Sequence, residues 1–190
     1  PDFDFVLEKI IEEIPHAYIL LFEGLEIFDI EQIKARWKKN NQSFSNRIII
    51  YPRVGFDKYL AIMNSFDIIL DPLYSGIGNT MYHAMSLGVP VVSMPTNQAR
   101  GRYAYAVYKQ MDIVNPPLAK TIDDYIYLCK KLAINTSYRN DIKSQIFSKS
   151  KENLFSDKTI FKQYIEFFHD SIKCAKEKKI LPLKWKPSIH

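Results

Sequence analysis

The sequence predicts an α/β fold: a three-layer, Rossmann-like parallel sheet with helices on both faces and a helical C-terminal region. Two observations predict it. Helix-like and strand-like apolar periods alternate as far as about residue 115. The strand-like segments are short, continuous apolar runs, as expected of parallel strands that are buried on both faces. Strands that alternate with helices form βαβ units, and these units build a parallel sheet covered by helices.

The elements follow from the periods in chain order. Helices are predicted over 3–14, 26–40, 57–65, 80–87 and 100–111. Strands are predicted over 17–22, 47–51, 67–70 and 89–94, with a short fifth strand at 113–114. From 121 to 172 the pattern is mostly helical, with Thr121 and Asp124 as a capping pair and residues 156–158 opening the last helix.

Composition excludes several classes of protein. Hydrophobic residues at 47% and charged residues at 25% are typical of a globular protein. The net charge of +5 arises at the C-terminal end, where six Lys stand against one Glu from Lys173 onward. Because the rest of the chain is nearly neutral, neither nucleic-acid nor membrane binding is predicted.

Cysteine usage and hydropathy predict a cytoplasmic location. Cys129 and Cys174 lie far apart without metal-ligand spacing, which indicates free thiols in a reducing compartment. No apolar run approaches the roughly 18 residues of a transmembrane helix, and no signal peptide opens the chain. The chain begins at Pro1 rather than Met, so we expect it to be a piece of a longer protein.

The segment 71–90 is the candidate ligand site. In an open parallel sheet, ligands bind at the carboxyl ends of the strands, where 52–57, 71–79 and 95–100 are predicted loops. Gly76 and Gly78 would let an anion approach the backbone, and Asn79 or Thr80 would cap a helix whose first amides face the loop. A diphosphate would fit there, although this spacing also occurs in ordinary βα loops. Neither a GxGxxG dinucleotide fingerprint nor a Walker A lysine is present.

The motifs of this segment resemble a known family. They read Leu70-Asp71-Pro72, Ser75-Gly76-x-Gly78-Asn79-Thr80 and Ala84-Met85-x-x-Gly88-Val89-Pro90-Val91-Val92. This pattern is similar to the donor-binding half of GT-B glycosyltransferases, and particularly to the protein O-GlcNAc transferase and SPINDLY-like family. Further segments match in the same order: Tyr51-Pro52-Arg53-Val54, Arg100-Gly101-Arg102, Asp124-Tyr125 and Asn153-Leu154-Phe155.

The resemblance implies roles for individual residues. Val54 would contact the base through its backbone, Tyr59 would reach the phosphates, and Asn79 and Thr80 would hold the pyrophosphate at the loop of Gly76 and Gly78. Arg102 would contact an anion, or else form a structural ion pair. Phe56 replaces a polar residue that touches the ribose in some members, so it would pack on the base or serve as apolar filler.

His83 departs from the family pattern, which has a carboxylate that grips the ribose hydroxyls. A neutral imidazole donates or accepts one hydrogen bond there, but it cannot accept both protons of the diol. Three consequences stay open: the ribose is held in another way, the donor differs, or affinity is low. A fourth reading is that His83 merely faces its helix neighbours.

The resemblance implies that the protein transfers a sugar from a nucleotide diphosphate sugar to a protein Ser or Thr hydroxyl, with inversion. GlcNAc is the sugar that it favours. Residues 1–175 would be the donor-binding domain and 176–190 a basic tail, with Leu181–Trp185 in a final helix that crosses to the other half. The donor would be UDP-GlcNAc, or alternatively GDP-fucose, with no metal or cofactor. Catalytic residues and the acceptor site would lie on an N-terminal half of the same protein. The alternatives are a catalytically degenerate GT-B scaffold and a doubly wound regulatory module with Asp71 as a phosphoacceptor.

Overall fold

The structure is a computed structural model that describes residues 2–24, 27–39 and 43–188. These residues form two compact units, which divide after Ser150. The helices of the first unit are α1 (Asp2–Glu13), α2 (Ile27–Lys39), α3 (Phe56–Asn64), α4 (Asn79–Ser86), α5 (Tyr103–Gln110), α6 (Ile122–Ile134) and α7 (Thr136–Ser150). Its strands are β1 (Ile19–Phe22), β2 (Ile48–Tyr51), β3 (Ile69–Leu70) and β4 (Val91–Val92), and its 3-10 turns are Ser43–Arg47 and Ala99–Gly101.

The strands are parallel, as predicted, and the α/β fold class is confirmed. Strand β1 pairs with β2 from Ile19 opposite Ile48 to Phe22 opposite Tyr51. Strand β3 pairs with β4 over only two residues each. In the described part of the chain these pairs form two separate two-stranded sheets. The single continuous parallel sheet that the apolar runs predict is therefore divided in two.

The predicted fifth strand at 113–114 is wrong. Neither residue is in a strand, and the next parallel pairing is a single bridge from Ser93 to Leu118. Asn115 has a φ of +52°, which breaks an extended path. The two prolines that follow it, Pro116 and Pro117, cannot donate to a ladder. Sheet pairing therefore resumes only beyond them.

Helix α1 lies between two apolar clusters because its apolar residues occupy two adjoining stripes. Val6 and Ile10 pack with α6, whose inward face is buried. Leu7 and Ile11 pack in the second cluster, with Trp37 of α2 and Phe44 of the first 3-10 turn. The predicted Thr121 cap of α6 is confirmed, since its hydroxyl accepts from the Asp124 amide at 3.1 Å.

A buried ion pair ties α1 to α2. Asp4 is 5% exposed and accepts two hydrogen bonds from the Arg36 guanidinium, at 2.6 and 2.9 Å. Burial alone would raise the pKa of Asp4, but the Arg36 hydrogen bonds and positive charge lower it below its ordinary value of 3.8. The pair therefore stabilises the fold above pH 3.8, and this stability is lost as the pH falls through the lower folded-state pKa.

We expect Asp4→Ala to lower the free energy of unfolding at pH 7 by about 1–3 kcal/mol, because Arg36 loses a bidentate partner. Urea denaturation at pH 7 and below pH 3.8 measures this. The difference between wild type and variant should shrink in acid, where Asp4 becomes protonated. Glu12→Ala is the control, since its pair with Lys9 is exposed and worth little. A difference that stayed constant with pH would contradict the assignment.

The second unit contains a π-helical turn (Lys151–Phe155) and helix α8 (Thr159–Lys176). The expectation that Leu181–Trp185 belongs to the final helix is wrong, because α8 ends at Lys176. Lys178 ends the helix with φ at +54°, and the Lys179 amide donates to the Cys174 carbonyl at 2.8 Å. The chain turns again at Pro182, whose carbonyl accepts from the Trp185 amide at 2.9 Å. The Trp185 indole then donates to Asp170 at 2.9 Å and packs edge-on against Phe167. The division into a donor-binding domain over 1–175 and a tail over 176–190 stays a prediction.

Both thiols of the chain, Cys129 and Cys174, are free, and burial raises the pKa of Cys129. Among the described helices, none combines the length and apolar character needed to cross a membrane.

Candidate functional site

Asp71 fixes the course of the loop between β3 and α4. The side chain is 2% exposed. One carboxylate oxygen accepts from the Ile77 amide at 2.8 Å and the other from the Ser93 hydroxyl at 2.6 Å, while the Asp71 carbonyl accepts from the Tyr125 hydroxyl at 3.1 Å. Because both oxygens are buried and accept hydrogen bonds, this carboxylate stabilises the loop. No observation favours a role for it as a phosphoacceptor.

Gly76 allows this loop to lie close to the segment after β4. Its amide donates to the Arg100 carbonyl at 2.7 Å. A Cβ at this position would lie 3.0 Å from that carbonyl oxygen and 3.1 Å from the Tyr103 ring, closer than a side chain normally packs. The loop after β3 and the 3-10 turn after β4 are thus joined at the carboxyl ends of the two strands.

Helix α4 begins without a side-chain cap. Gly78 is the N-cap residue, with φ at +53°, and no side chain accepts from the first turn. The prediction that Asn79 or Thr80 caps this helix is therefore wrong, since Gly78 makes the turn instead, with a positive φ that suits glycine. The predicted end of the helix is confirmed: Gly88 has φ at +71°, and the Val89 amide donates to Ala84 at 2.9 Å, as in a Schellman motif.

The first turn of α4 leaves amides for an anion. The Thr80 amide donates to the Ile77 carbonyl at 3.1 Å and the Met81 amide to the Gly78 carbonyl at 3.0 Å. The amides of Gly78 and Asn79 have no acceptor in the described part of the chain. Two backbone donors therefore remain at the positive end of the helix dipole, beside the Thr80 hydroxyl.

Aromatic side chains join α3 to α4 next to this turn. Tyr59 of α3 is 5.9 Å from the His83 ring of α4, measured between centroids, and its hydroxyl reaches the Thr80 hydroxyl at 3.5 Å. Phe56 lies 5.2 Å from His83 and is nearly parallel to Tyr59, 6.4 Å away. Phe22, at the end of β1, packs 5.0 Å from Tyr59. The end of β1 and the helices α3 and α4 therefore contribute to one cluster.

His83 lies inside this cluster, half-buried between aromatic rings. Its Nδ1 atom is buried, and no hydrogen-bond partner for it is present among the described residues. An unpaired buried nitrogen carries a free-energy cost, so His83 is held here by its packing against the aromatic rings. The structure thus brings Tyr59, Thr80 and His83 together with Gly78 and Asn79, while their roles toward a ligand stay predictions.

Val54 and Arg102 stand apart from these contacts. Val54 is half-buried in the loop between β2 and α3, two residues before Phe56. The Arg102 guanidinium donates to the Thr96 carbonyl at 3.0 Å and lies 4.6 Å over the Tyr105 ring. These contacts give Arg102 a structural role within the fold. Its contact with an anion stays a prediction.

Sequence reasoning missed the links that hold the site loops in place. The Asp71–Ser93 hydrogen bond and the Gly76–Arg100 contact join residues 22 and 24 positions apart, which no local pattern reveals. The Asp71–Ile77 bond had no local signal either, since it spans six residues and the familiar Asx turn spans two. In the part of the chain that the structure describes, no group of three His, Cys, Asp or Glu side chains could hold a metal ion.

Comparison with known proteins gives a fold. No protein-family profile and no curated protein matches the chain. A lysine-to-methionine mutant of the Thermobaculum terrenum O-GlcNAc transferase is similar in structure, with a TM-score of 0.72 and 18% identity over 83% of this chain. TarM, also a GT-B glycosyltransferase, has a TM-score of 0.57 and 14% identity over 77% of this chain. The chain spans 30% and 28% of those two proteins. Its fold is therefore that of a GT-B glycosyltransferase domain.

Proposed function

We propose that this chain is the donor-binding domain of a glycosyltransferase that transfers a sugar from a nucleotide diphosphate sugar to a protein Ser or Thr hydroxyl with inversion. The sugar proposed is GlcNAc with UDP as the carrier, and GDP-fucose is the alternative donor. The observation that carries the proposal is the pair of unengaged amides at Gly78 and Asn79, with Thr80, Tyr59 and His83 around them. Likeness to an O-GlcNAc transferase supports the choice of sugar.

A diphosphate leaving group suits this geometry. It carries negative charge at the moment of transfer, and preorganised amides at a helix N-terminus stabilise such charge without a metal. Gly78 permits close approach, because no atom of the described residues lies within 4 Å of where its Cβ would be. The acceptor site and the catalytic groups are proposed to lie on an N-terminal half of the same cytoplasmic protein.

The first test is nucleotide binding, since a ligand of the native state raises its stability by mass action. The chain is titrated with UDP, GDP and CMP while the midpoint of thermal unfolding is followed. UDP is expected to raise the midpoint most. A larger rise with GDP would favour a fucose donor. If none of the three nucleotides changed the midpoint, the proposed donor site would be wrong.

The double variant Asn79→Ala, Thr80→Ala should weaken nucleotide binding by about tenfold, because the two side-chain donors to a charged group are lost while the backbone amides of Gly78 and Asn79 remain. Calorimetric titration measures the dissociation constant. The matched control removes the same residue types from the exposed surface of α7, as Thr136→Ala, Asn140→Ala, and should bind like wild type. Unchanged affinity in the first variant would contradict the proposed contact of these two side chains with the diphosphate.

A catalytically degenerate scaffold is the second candidate, and His83 is the observation that favours it. The residue stands where the resemblance implies a carboxylate, and its ring is packed among aromatic side chains. A scaffold would show no thermal response to any of the three nucleotides, and its complete protein would transfer no sugar.

A further inference from the structure

The aromatic cluster offers an exposed ring face to a ligand. Phe56 is the first residue of α3 and is 58% exposed. It is held from two sides, by Tyr59 at an interplanar angle of 26° and by the His83 ring at 71°. An ordered, exposed aromatic ring is a surface on which a planar nucleobase stacks, whatever the identity of the base.

The position of this ring fits one end of a nucleoside diphosphate. The unengaged amides of Gly78 and Asn79 would hold the phosphates, and Phe56 would hold the base. Between these ends lie Tyr59, whose hydroxyl reaches Thr80, and His83, which touches both Phe56 and Tyr59. Since the ribose joins the base to the phosphates, it would lie beside His83.

His83 is poorly equipped to hold a ribose diol. A carboxylate accepts from two hydroxyls at once, whereas each imidazole nitrogen makes one hydrogen bond. Nδ1 is buried within the cluster, which leaves Nε2 for the ribose. The carboxylate of Asp71, in the loop before α4, is buried with Ile77 and Ser93 as partners. The Glu23 and Asp57 carboxylates lie at the end of β1 and in the first turn of α3, but among the described residues no hydrogen bond or ion pair holds either one against the ring cluster.

We infer that this site, resting on the proposed function, recognises its donor by stacking the base on Phe56 and does not select for the ribose 2′-hydroxyl. Nucleoside diphosphate sugars of the ribo and the 2′-deoxyribo series are then equivalent donors. The aromatic surface of Phe56 and the amides that bind the diphosphate determine the specificity of the site, and the pentose hydroxyls do not contribute to it.

Calorimetric titration of the chain with UDP and with 2′-deoxy-UDP tests this directly. GDP and 2′-deoxy-GDP replace them if GDP binds better in the thermal screen. The two dissociation constants are expected to agree within about threefold, because no more than one neutral hydrogen bond is lost. A ribonucleotide preference above about tenfold, as Glu23 or Asp57 would produce by gripping the diol, overturns the inference and leaves the proposed function standing. If neither nucleotide binds, the proposed function itself fails.

Two variants separate the parts of the inference. Phe56→Ala should weaken both nucleotides by about tenfold with unchanged thermal stability, as loss of a stacking partner does. Tyr127→Ala, which removes a similarly exposed ring from α6, is the control and should change neither. His83→Asp should create a preference for the ribonucleotide of about tenfold, since it supplies the missing acceptor. Unchanged affinity in Phe56→Ala overturns the stacking, and no gained preference in His83→Asp overturns the placement of the ribose.

Discussion

Tyr108→Phe should lower the free energy of unfolding by about 2–4 kcal/mol, although it removes a single oxygen atom. The Tyr108 side chain is fully buried in α5. Its hydroxyl accepts from the Val91 amide at 2.7 Å and donates to the Val91 carbonyl at 3.0 Å. Both backbone groups belong to β4 and point away from β3, which pairs with β4 through the Ile69 and Asp71 amides.

The tyrosine therefore stands where a neighbouring strand would otherwise pair. Removing the hydroxyl leaves an amide and a carbonyl buried without a partner, and each carries a desolvation penalty. Burial raises the pKa of Tyr108, so the hydroxyl stays protonated and able to donate across the range in which proteins are stable. Chemical denaturation at pH 7 measures the effect.

Tyr103→Phe is the matched control for this prediction. It removes the same atom from the same helix at a site that is 43% exposed, and should change stability by less than about 0.5 kcal/mol. If the two variants were equally stable, the Val91 groups would have to find other partners, and the account of the β4 edge would be contradicted.

Local patterns predicted the elements of the first unit because burial imposes a period on each of them. The apolar stripe of α1 and the runs of β1 and β2 were recognisable for this reason, as was the Thr121 cap, which needs only residues three positions apart. The predicted strands are longer than the observed ones, because an apolar run indicates that residues are buried but not that they form backbone hydrogen bonds with another strand. The run 89–94 contains only two residues in a ladder, Val91 and Val92, and on its other edge Val91 bonds to the Tyr108 hydroxyl instead of to a strand.

The candidate site was predictable in place but not in detail. Parallel strands put their carboxyl ends at one edge, so the glycine loop and the start of α4 had to lie there. The capping of α4 was misjudged because the sequence shows which residues can cap but not the backbone angles. Gly78 adopts a positive φ, open to glycine, and turns the chain without a side-chain cap. The enclosure of His83 by Phe56 and Tyr59 depends on how α3 packs against α4, which no single helix encodes.

Asp71→Ala should lower the free energy of unfolding by about 2–4 kcal/mol, because the Ile77 amide and the buried Ser93 hydroxyl lose their acceptor together. The loss should also weaken nucleotide binding, since the Ile77 bond sets the path of the loop that ends at Gly78. Ser93→Ala removes one of the two bonds and should cost less, about 1 kcal/mol. If Asp71→Ala unfolded no more easily than Ser93→Ala, the loop would not depend on the carboxylate.

Asp71→Asn separates the hydrogen bonds from the charge, because an amide oxygen still accepts from Ile77. Burial raises the pKa of Asp71 above its ordinary value of 3.8, against the opposing effect of the Ser93 and Ile77 hydrogen bonds. A raised folded-state pKa means that the native state takes up the proton first, so this titration stabilises the fold as the pH falls through that pKa toward 3.8. The stabilisation is complete below 3.8 and is lost as the pH rises again.

Wild type should therefore gain stability relative to Asp71→Asn as the pH is lowered from 7 toward 3.8. The opposite contribution of Asp4 is present in both proteins and cancels in the difference. Urea denaturation of both proteins at several pH values gives this difference directly. If the stability of wild type relative to Asp71→Asn fell as the pH was lowered, the fold would instead stabilise the charged form of Asp71. The loop would then stabilise the negative charge itself.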